Sequence, residues 1–285
     1  MADILVTGAT GTVGSEVAKG LSGLAGVRLA VRDVAQARQG ADVAAEYVAF
    51  DFLNSATFAA AFRGVESLFL VRPPALANVK RDIAPALYAA KSAGVRHVVF
   101  VSLQGVERNR ATPHFRIEEL IRELGFRHTF LRCGFFMQNL STTHRDEIRD
   151  KSEIAVPVGA GKTGFVDVRD IAAVTVRVLT HPATGNTAYT LTGSVALDYT
   201  EVAAVLSRVL GRTIRYTNPS VVSFVYKQVA SGRPFGFALI MVALYTITRF
   251  GNAAQTTADV RELLEREPIS FEQFARDYRD CWMVS

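Results

Sequence analysis

Residues 3–14, DILVTGATGTVG, leave few folds open. The stretch reads as a short buried strand through Ile4, Leu5 and Val6 that turns through glycine into a helix opening near Thr12. Gly8 admits the tight strand-to-helix turn, Gly11 lets the backbone come close to a pyrophosphate, and Gly14 lets the helix sit tight on the sheet. Phosphates would rest on the unpaired N–H groups at the positive end of that helix. The spacing is Gly-x-x-Gly-x-x-Gly rather than Gly-x-Gly-x-x-Gly, and glycines alone are weak evidence. The strand before and the helix after are the context that points to a nucleotide cofactor rather than a plain glycine-rich turn.

The chain has 285 residues, enough for one large α/β domain or for one domain with a small lobe. Its 49% hydrophobic and 21% charged residues are ordinary for a soluble globule. The net charge of +5 is spread along the chain. Its nearest approach to a basic cluster, Arg108 and Arg110, has Glu107 beside it and reads as a solvated loop, so no nucleic-acid partner is expected. Cys133 and Cys281 are too few for a disulfide framework, and no His/Cys/Asp cluster has metal-ligand spacing. A first strand from residue 3 leaves no room for a targeting segment. The longest uncharged apolar run, Pro234–Thr248, has about 15 residues against the roughly 20 needed to span a bilayer, and reads as a buried helix or pocket wall. The expectation is a cytoplasmic protein without a membrane partner.

Taken in order, a first helix over 14–24 leads to a strand Val27–Val31 that ends at Arg32. An acid at this offset would bind a ribose 2′-OH, whereas an arginine clasps a 2′-phosphate, so Arg32 favours NADP(H), with NAD(H) as the alternative. Asp33 complicates that choice, and Arg32 projecting into solvent is the plainer reading. A third strand, Tyr47–Phe50, is followed by Asp51 and Phe52. There a short acid can accept a hydrogen bond from an adenine amino group while the next residue packs on the ring, or Asp51 can cap the helix over 55–62. Strands at Ser67–Val71 and His97–Val101 flank a long helix over 78–94, and Ser102 follows the second of them. A helix from Pro113 to Gly125 and a strand His128–Leu131 precede a loop over 132–139. The alternation predicts an α/β fold: a Rossmann-type doubly wound parallel sheet with a small C-terminal α/β substrate lobe. Residues 1–150 are assigned to the NAD(P)-binding domain and 151–285 mainly to the lobe, with 165–192 returning to the Rossmann domain.

These motifs resemble the NmrA-like atypical short-chain dehydrogenases/reductases. The resemblance rests on Gly8-Ala-Thr-Gly11-Thr-Val-Gly14 with Arg32, the Val101-Ser102 strand end, and Leu131-Arg132-Cys-Gly-Phe-Phe136-Met-Gln-Asn139. It extends through Phe165-Val-Asp167-Val-Arg-Asp170, Leu191-Thr-Gly193 and the closing Pro268–Trp282 segment. The family includes NADPH-dependent quinone oxidoreductases, azo-dye and triphenylmethane-dye reductases, and regulators that bind the dinucleotide without turning it over. By this resemblance the cofactor contacts are Thr7, Gly8, Ala9, Thr10, Gly11, Thr12, Val13, Gly14, Arg32, Asp51, Val71, Arg72, Pro73, Ser102, Cys133, Gly134, Phe135, Phe136, Met137 and Gln138. The last group would run beside the nicotinamide.

None of the eight tyrosines is followed four residues later by lysine, so the Tyr-x-x-x-Lys proton-donor pair of the wider superfamily is missing. His114 and Glu118 occupy the corresponding slots and share a helix face. Reversible alcohol–ketone chemistry is therefore unfavourable, whereas hydride transfer to a conjugated acceptor needs mainly proximity and a proton from water or an imidazole. His114 is the candidate proton donor or substrate orienter, against a structural histidine. Ser102 is the second catalytic candidate, against a residue that only hydrogen-bonds a ribose or carbonyl. Asp167 and Asp170 read as loop holders and helix caps. Phe224, Tyr226, Phe235, Phe237, Met241, Tyr245 and Phe250 suit a pocket for a flat aromatic substrate, a core, or a subunit interface such as that of a homodimer. Two function classes follow: an NADPH-dependent reductase of quinones or azo- or triphenylmethane-type acceptors, and an NAD(P)-binding redox-sensing regulator with little turnover.

Overall fold

The structure, a computed structural model, describes residues 4–39, 43, 45–181 and 184–283. The chain runs β1 (Ile4–Val6), α1 (Thr12–Gly20), β2 (Val27–Val31), α2 (Val34–Gln39), β3 (Glu46–Ala49), α3 (Phe58–Phe62), β4 (Ser67–Leu70), α4 (Val79–Asp82) and α5 (Ala84–Ser92). It continues with β5 (His97–Leu103), α6 (Pro113–Glu123), β6 (Arg127–Cys133), β7 (Phe135–Phe136), α7 (Gln138–Ser141), α8 (Arg145–Lys151), β8 (Glu153–Ile154) and β9 (Phe165–Val166). It ends with α9 (Val168–Thr180), β10 (Thr187–Leu191), α10 (Tyr199–Leu210), β11 (Arg215–Tyr216), α11 (Val221–Ala230), α12 (Phe235–Arg249), α13 (Asp259–Leu264) and α14 (Phe271–Asp277). Two compact units result: Met1–Cys133 with Val168–Leu191, and Gly134–Asp167 with Thr192–Ser285.

The first unit is built on a seven-stranded sheet in the order β10-β6-β5-β4-β1-β2-β3. Every pairing is parallel, with Ile4 opposite both Val27 and Ser67 and Leu70 opposite Phe100. Its central strands are near-continuous apolar runs because both faces are covered. Leu68, Leu70, Val98 and Phe100 share a buried cluster with Phe58 and Phe62 of α3, Leu87 of α5 and Ile117 and Ile121 of α6. The alternate residues Phe69, Val99 and Val101 are also buried and belong to the opposite face, where α1 and α9 pack together.

Two expectations about helices need correction. The long helix over 78–94 is broken at Ile83, between α4 and α5. Pro85 lacks an N–H and its ring clashes with the carbonyl four residues back, so one continuous helix is excluded. The apolar run over 234–248 does form a helix, but only Ala238, Met241, Tyr245 and Thr248 are buried on it. Phe235, Phe237, Leu239, Ile240, Leu244 and Ile247 are exposed, so it is not a buried helix.

The second unit has its own core, in which Met137, Phe165, Tyr199, Leu206, Phe224, Tyr245, Phe274 and Trp282 are buried together. Its helix α10 carries a full capping box: Asp198 accepts from the Thr200 and Glu201 N–H groups, and Glu201 accepts from the Asp198 N–H. The loop expected over 132–139 is more ordered than its sequence suggests, since it contains the two residues of β7 and the turn of α7.

Candidate active site

At the carboxyl end of β1 the chain turns through Gly8, whose φ of +64° is open to glycine at little cost. The Gly11 N–H closes the turn on the Gly8 carbonyl at 2.8 Å. A Cβ on Gly14 would lie 2.1 Å from the Gly8 oxygen, so only glycine lets α1 start this close to the turn. Gly11 is the N-cap of α1 and no side chain caps the helix. The helix therefore presents its first N–H groups, with their partial positive charge, beside exposed Thr10, Gly11 and Thr12. Ala9 and Val13 are buried and fasten this turn to the core. Thr7 is buried too: its hydroxyl donates to the Phe69 carbonyl at 2.9 Å and accepts from the Val71 N–H at 3.0 Å, tying the ends of β1 and β4 together.

Arg32 is exposed just past β2. The neighbouring acid serves the backbone, since Asp33 accepts the Gln36 N–H at 2.9 Å and so caps α2. Past β3, Asp51 is half-buried and accepts the Leu53 N–H at 2.9 Å. Phe52 requires a correction. Its ring meets Phe50 edge-on at 4.8 Å inside the core and is not offered to a base. The apolar side chain exposed at that turn is Leu53.

Beyond β4, Val71, Arg72 and Pro73 form a half-buried loop. Nη1 of Arg72 donates to the carbonyls of Pro73, Pro74 and Leu76 at 2.9, 3.0 and 3.0 Å. The guanidinium thus braces its own loop, and its Nε is buried with no hydrogen-bond partner. Burial pulls its pKa down from the usual guanidinium value.

Beyond β5 the side chain of Ser102 is buried and donates to Glu118 Oε1 at 2.7 Å. Arg132 grips the same carboxylate through Nε at 3.1 Å and Nη2 at 2.8 Å, and Arg122 adds a bond to Oε2 at 2.8 Å. Glu118, only 1% exposed, is thereby fully engaged across α6, β5 and β6. The Ser102 proton is engaged by Glu118, and the remaining capacity of the hydroxyl is to accept. Cys133, at the end of β6, is buried and its thiol pKa is pushed far up, which makes it a poor nucleophile.

His114 lies in the first turn of α6, which Thr112 caps by accepting the Phe115 N–H at 3.2 Å. Its ring stacks on Phe100 at 5.9 Å. Burial, with the positive charge of Arg72 as the smaller cause, lowers its pKa to about 3. At neutral pH the ring is therefore uncharged. A neutral imidazole still donates one hydrogen bond and orients an acceptor.

In the second unit, β7 pairs with β9 and the Met137 N–H donates to the Val166 carbonyl at 2.9 Å. Gln138 is buried and its Nε2 donates to Asp167 Oδ1 at 2.9 Å, so Asp167 does hold this segment. Met137 is buried, whereas Phe135 and Phe136 are half-buried. Phe135 stacks on Tyr245 at 5.9 Å, and Tyr245 Oη lies 2.7 Å from Nε2 of His144.

The NmrA-like family profile matches residues 2–275. The chain belongs to the NmrA-like family. Among its relatives, the NAD(P)H azoreductase of Xenophilus azovorans is 36% identical over 278 residues, covering 96% of each chain. Quinone oxidoreductase 2 of Escherichia coli is 27% identical, covering 82% of this chain and 84% of that one. The triphenylmethane reductase of Citrobacter sp., solved with NADP(H), superposes with a TM-score of 0.87 at 26% identity, covering 97% of this chain and all of that one.

Within this NmrA-like chain, the glycine turn, Arg32, Asp51, Val71–Pro73, Ser102 and Cys133 all fall at the carboxyl ends of strands in the first unit. Gly134, Phe135, Phe136, Met137 and Gln138 belong to the second unit. The grip of Arg132 and Ser102 on Glu118, and the His144–Tyr245 pair, escape a reading of the sequence. Their partners lie 14, 16 and 101 residues apart, and no local spacing announces them. Among the described residues there is no group of three or more His, Cys, Asp or Glu side chains that could hold a metal, and no helix long and apolar enough to cross a membrane.

Proposed function

We propose that the chain is an NAD(P)H-dependent reductase that delivers hydride to a quinone or another conjugated aromatic acceptor, with NADP(H) as its preferred cofactor. The observation that carries this reading is the glycine turn, where a Cβ at position 14 is sterically impossible and α1 begins without a side-chain cap. Those features fit a dinucleotide diphosphate, which needs close backbone approach and free N–H donors. The azoreductase and quinone oxidoreductase relatives support the redox assignment.

In this reading Gly8–Gly14 hold the diphosphate, Arg32 meets the 2′-phosphate and Asp51 meets the adenine amino group. The backbone of 71–73 lines the same strand ends. The bound dinucleotide supplies the hydride. His114, uncharged at neutral pH, donates a hydrogen bond to the acceptor rather than a full proton, and water completes protonation. Ser102 and Arg132 reach the acceptor's surroundings only through Glu118, which holds both strand ends still.

The test follows loss of reduced-nicotinamide absorbance with quinones, azo dyes and triphenylmethane dyes. Turnover of at least one acceptor with NADPH is expected. Tight NADPH binding without turnover of any acceptor would replace the reductase by a dinucleotide-sensing regulator. Arg32→Ala should weaken NADPH by about 10- to 150-fold, the equivalent of roughly 1.5–3 kcal/mol for a charge-assisted bond, and leave NADH little changed. Equal loss of both nucleotides would contradict the 2′-phosphate role.

A further inference from the structure

Arg72 is a half-buried cation at these strand ends that, among the described residues, no carboxylate neutralises. Two other arginines of this unit differ: Arg122 and Arg132 share Glu118, and Arg132 also reaches Glu107 at 3.4 Å. Arg72 instead donates Nη1 to three loop carbonyls. Its Nε is buried and without a hydrogen-bond partner. The carbonyl cage fixes the position of the guanidinium and leaves its full positive charge in a poorly hydrated place, where charge acts over a longer distance than in water.

The fold puts this charge beside His114. Leu70, the last residue of β4, pairs with Phe100 of β5, and Arg72 follows two residues later. The His114 ring stacks on that same Phe100. Both groups therefore flank the carboxyl end of the β4–β5 pair, where an open α/β sheet binds its ligands.

We propose that Arg72 sets the charge class of the acceptor: neutral quinones, which become anionic as they are reduced, are favoured over cationic triphenylmethane dyes. This rests on the reductase reading. A quinone that takes up a hydride from a reduced nicotinamide dinucleotide gains two electrons and one hydrogen. The C–H bond of the reduced nicotinamide breaks and leaves the oxidised dinucleotide, one bond to hydrogen forms on the quinone, a carbonyl π pair moves onto oxygen, and the hydroquinone monoanion then takes one proton from solvent. A triphenylmethane cation gains one C–H bond at its central carbon, becomes neutral and needs no proton. A fixed cation stabilises the first change and opposes binding of the second acceptor. The uncharged state of His114 is due chiefly to its burial, and the Arg72 charge acts on the ring in the same direction.

The experiment compares wild type, Arg72→Gln and the charge-keeping Arg72→Lys with NADPH and two acceptors, a neutral benzoquinone and a cationic triphenylmethane dye. The expected result in Arg72→Gln is a fall of about tenfold or more in the ratio of kcat/KM for the quinone to that for the dye, with partial recovery of the ratio in Arg72→Lys. Parallel loss for both acceptors, or a loss matched by weakened NADPH binding in calorimetry, would overturn the proposal and make Arg72 a loop brace or a cofactor ligand. A readout independent of turnover is calorimetric titration of the NADP+-loaded protein with a nitrophenolate anion and with the cationic dye. Arg72→Gln should weaken the anion and tighten the dye, and unchanged affinities would overturn the proposal. If none of the acceptors offered makes the wild type oxidise NADPH, the reductase reading fails, while these titrations still decide whether Arg72 selects charge.

Discussion

The glycine turn at 8–14 and the helix at 235–249 are both conspicuous in the sequence, yet only the first discloses its surroundings. In the turn each residue type answers a steric demand: a positive φ at Gly8, and a gap at Gly14 too narrow for a Cβ. In α12 the side chains are nearly all apolar, so no contrast marks the buried face, and the packed stripe is only Ala238, Met241, Tyr245 and Thr248. Geometry that forbids side chains is legible in a sequence, whereas hydrophobicity without periodic contrast is not.

The contrast can be pressed experimentally, beginning with the most tightly constrained group in the first unit. Glu118→Ala should destabilise the protein by about 3–5 kcal/mol in urea unfolding, because it removes the buried carboxylate that Arg122 and Arg132 share and leaves the buried Ser102 hydroxyl without its acceptor. A loss below about 1 kcal/mol would mean that the cluster is solvated.

Acid comes next. Burial lowers the pKa of His97 to about 4 and that of His114 to about 3, below the usual value of 6.5. The unfolded chain binds more protons between those values, so stability rises with pH across the window and is lost as pH falls from about 6.5 towards 4 and 3. At pH 5 each imidazole should cost on the order of 1–2 kcal/mol. His114→Asn should flatten the lower part of the unfolding free energy plotted against pH, and an unchanged slope would show that the ring is hydrated.

The smallest effect is expected on the exposed side of α12. Ile240→Gln should change stability by no more than about 0.5 kcal/mol, since the side chain is 54% exposed. A loss of about 2 kcal/mol or more would show that this face is covered in solution.

How far the sequence could be read follows the same division. Strands β1, β2, β4 and β5 were legible because parallel strands covered on both faces read as short apolar runs. Pro85 carried the break between α4 and α5 in plain view, but the apolar pattern on either side ran through it. Asp33 clouded the choice between NADP(H) and NAD(H) beside Arg32, and only the fold shows the Gln36 N–H pointing at it. His114 and Glu118 were legible as a pair on one helix face, but their partners were not. His114 meets Phe100 from β5, and Glu118 collects Ser102 and Arg132 from two different strands. Such contacts arise from register between strands distant in sequence, and a one-dimensional pattern does not carry them.

Isothermal titration of NADPH into wild type and Gly11→Val asks whether the glycine turn holds the dinucleotide. Gly11 has a φ of −88° and ψ of 172°, which any residue adopts, but a Cβ there would lie 3.2 Å from the Gly8 carbonyl oxygen, so the melting temperature of the variant is measured beside the titration to separate lost binding from a loosened turn. The variant's side chain would occupy the space a diphosphate needs. Saturable one-to-one heat in the wild type, reduced about 100-fold or more in affinity in Gly11→Val, is the expected result. Equal affinity in both proteins, or no heat in the wild type, would contradict it.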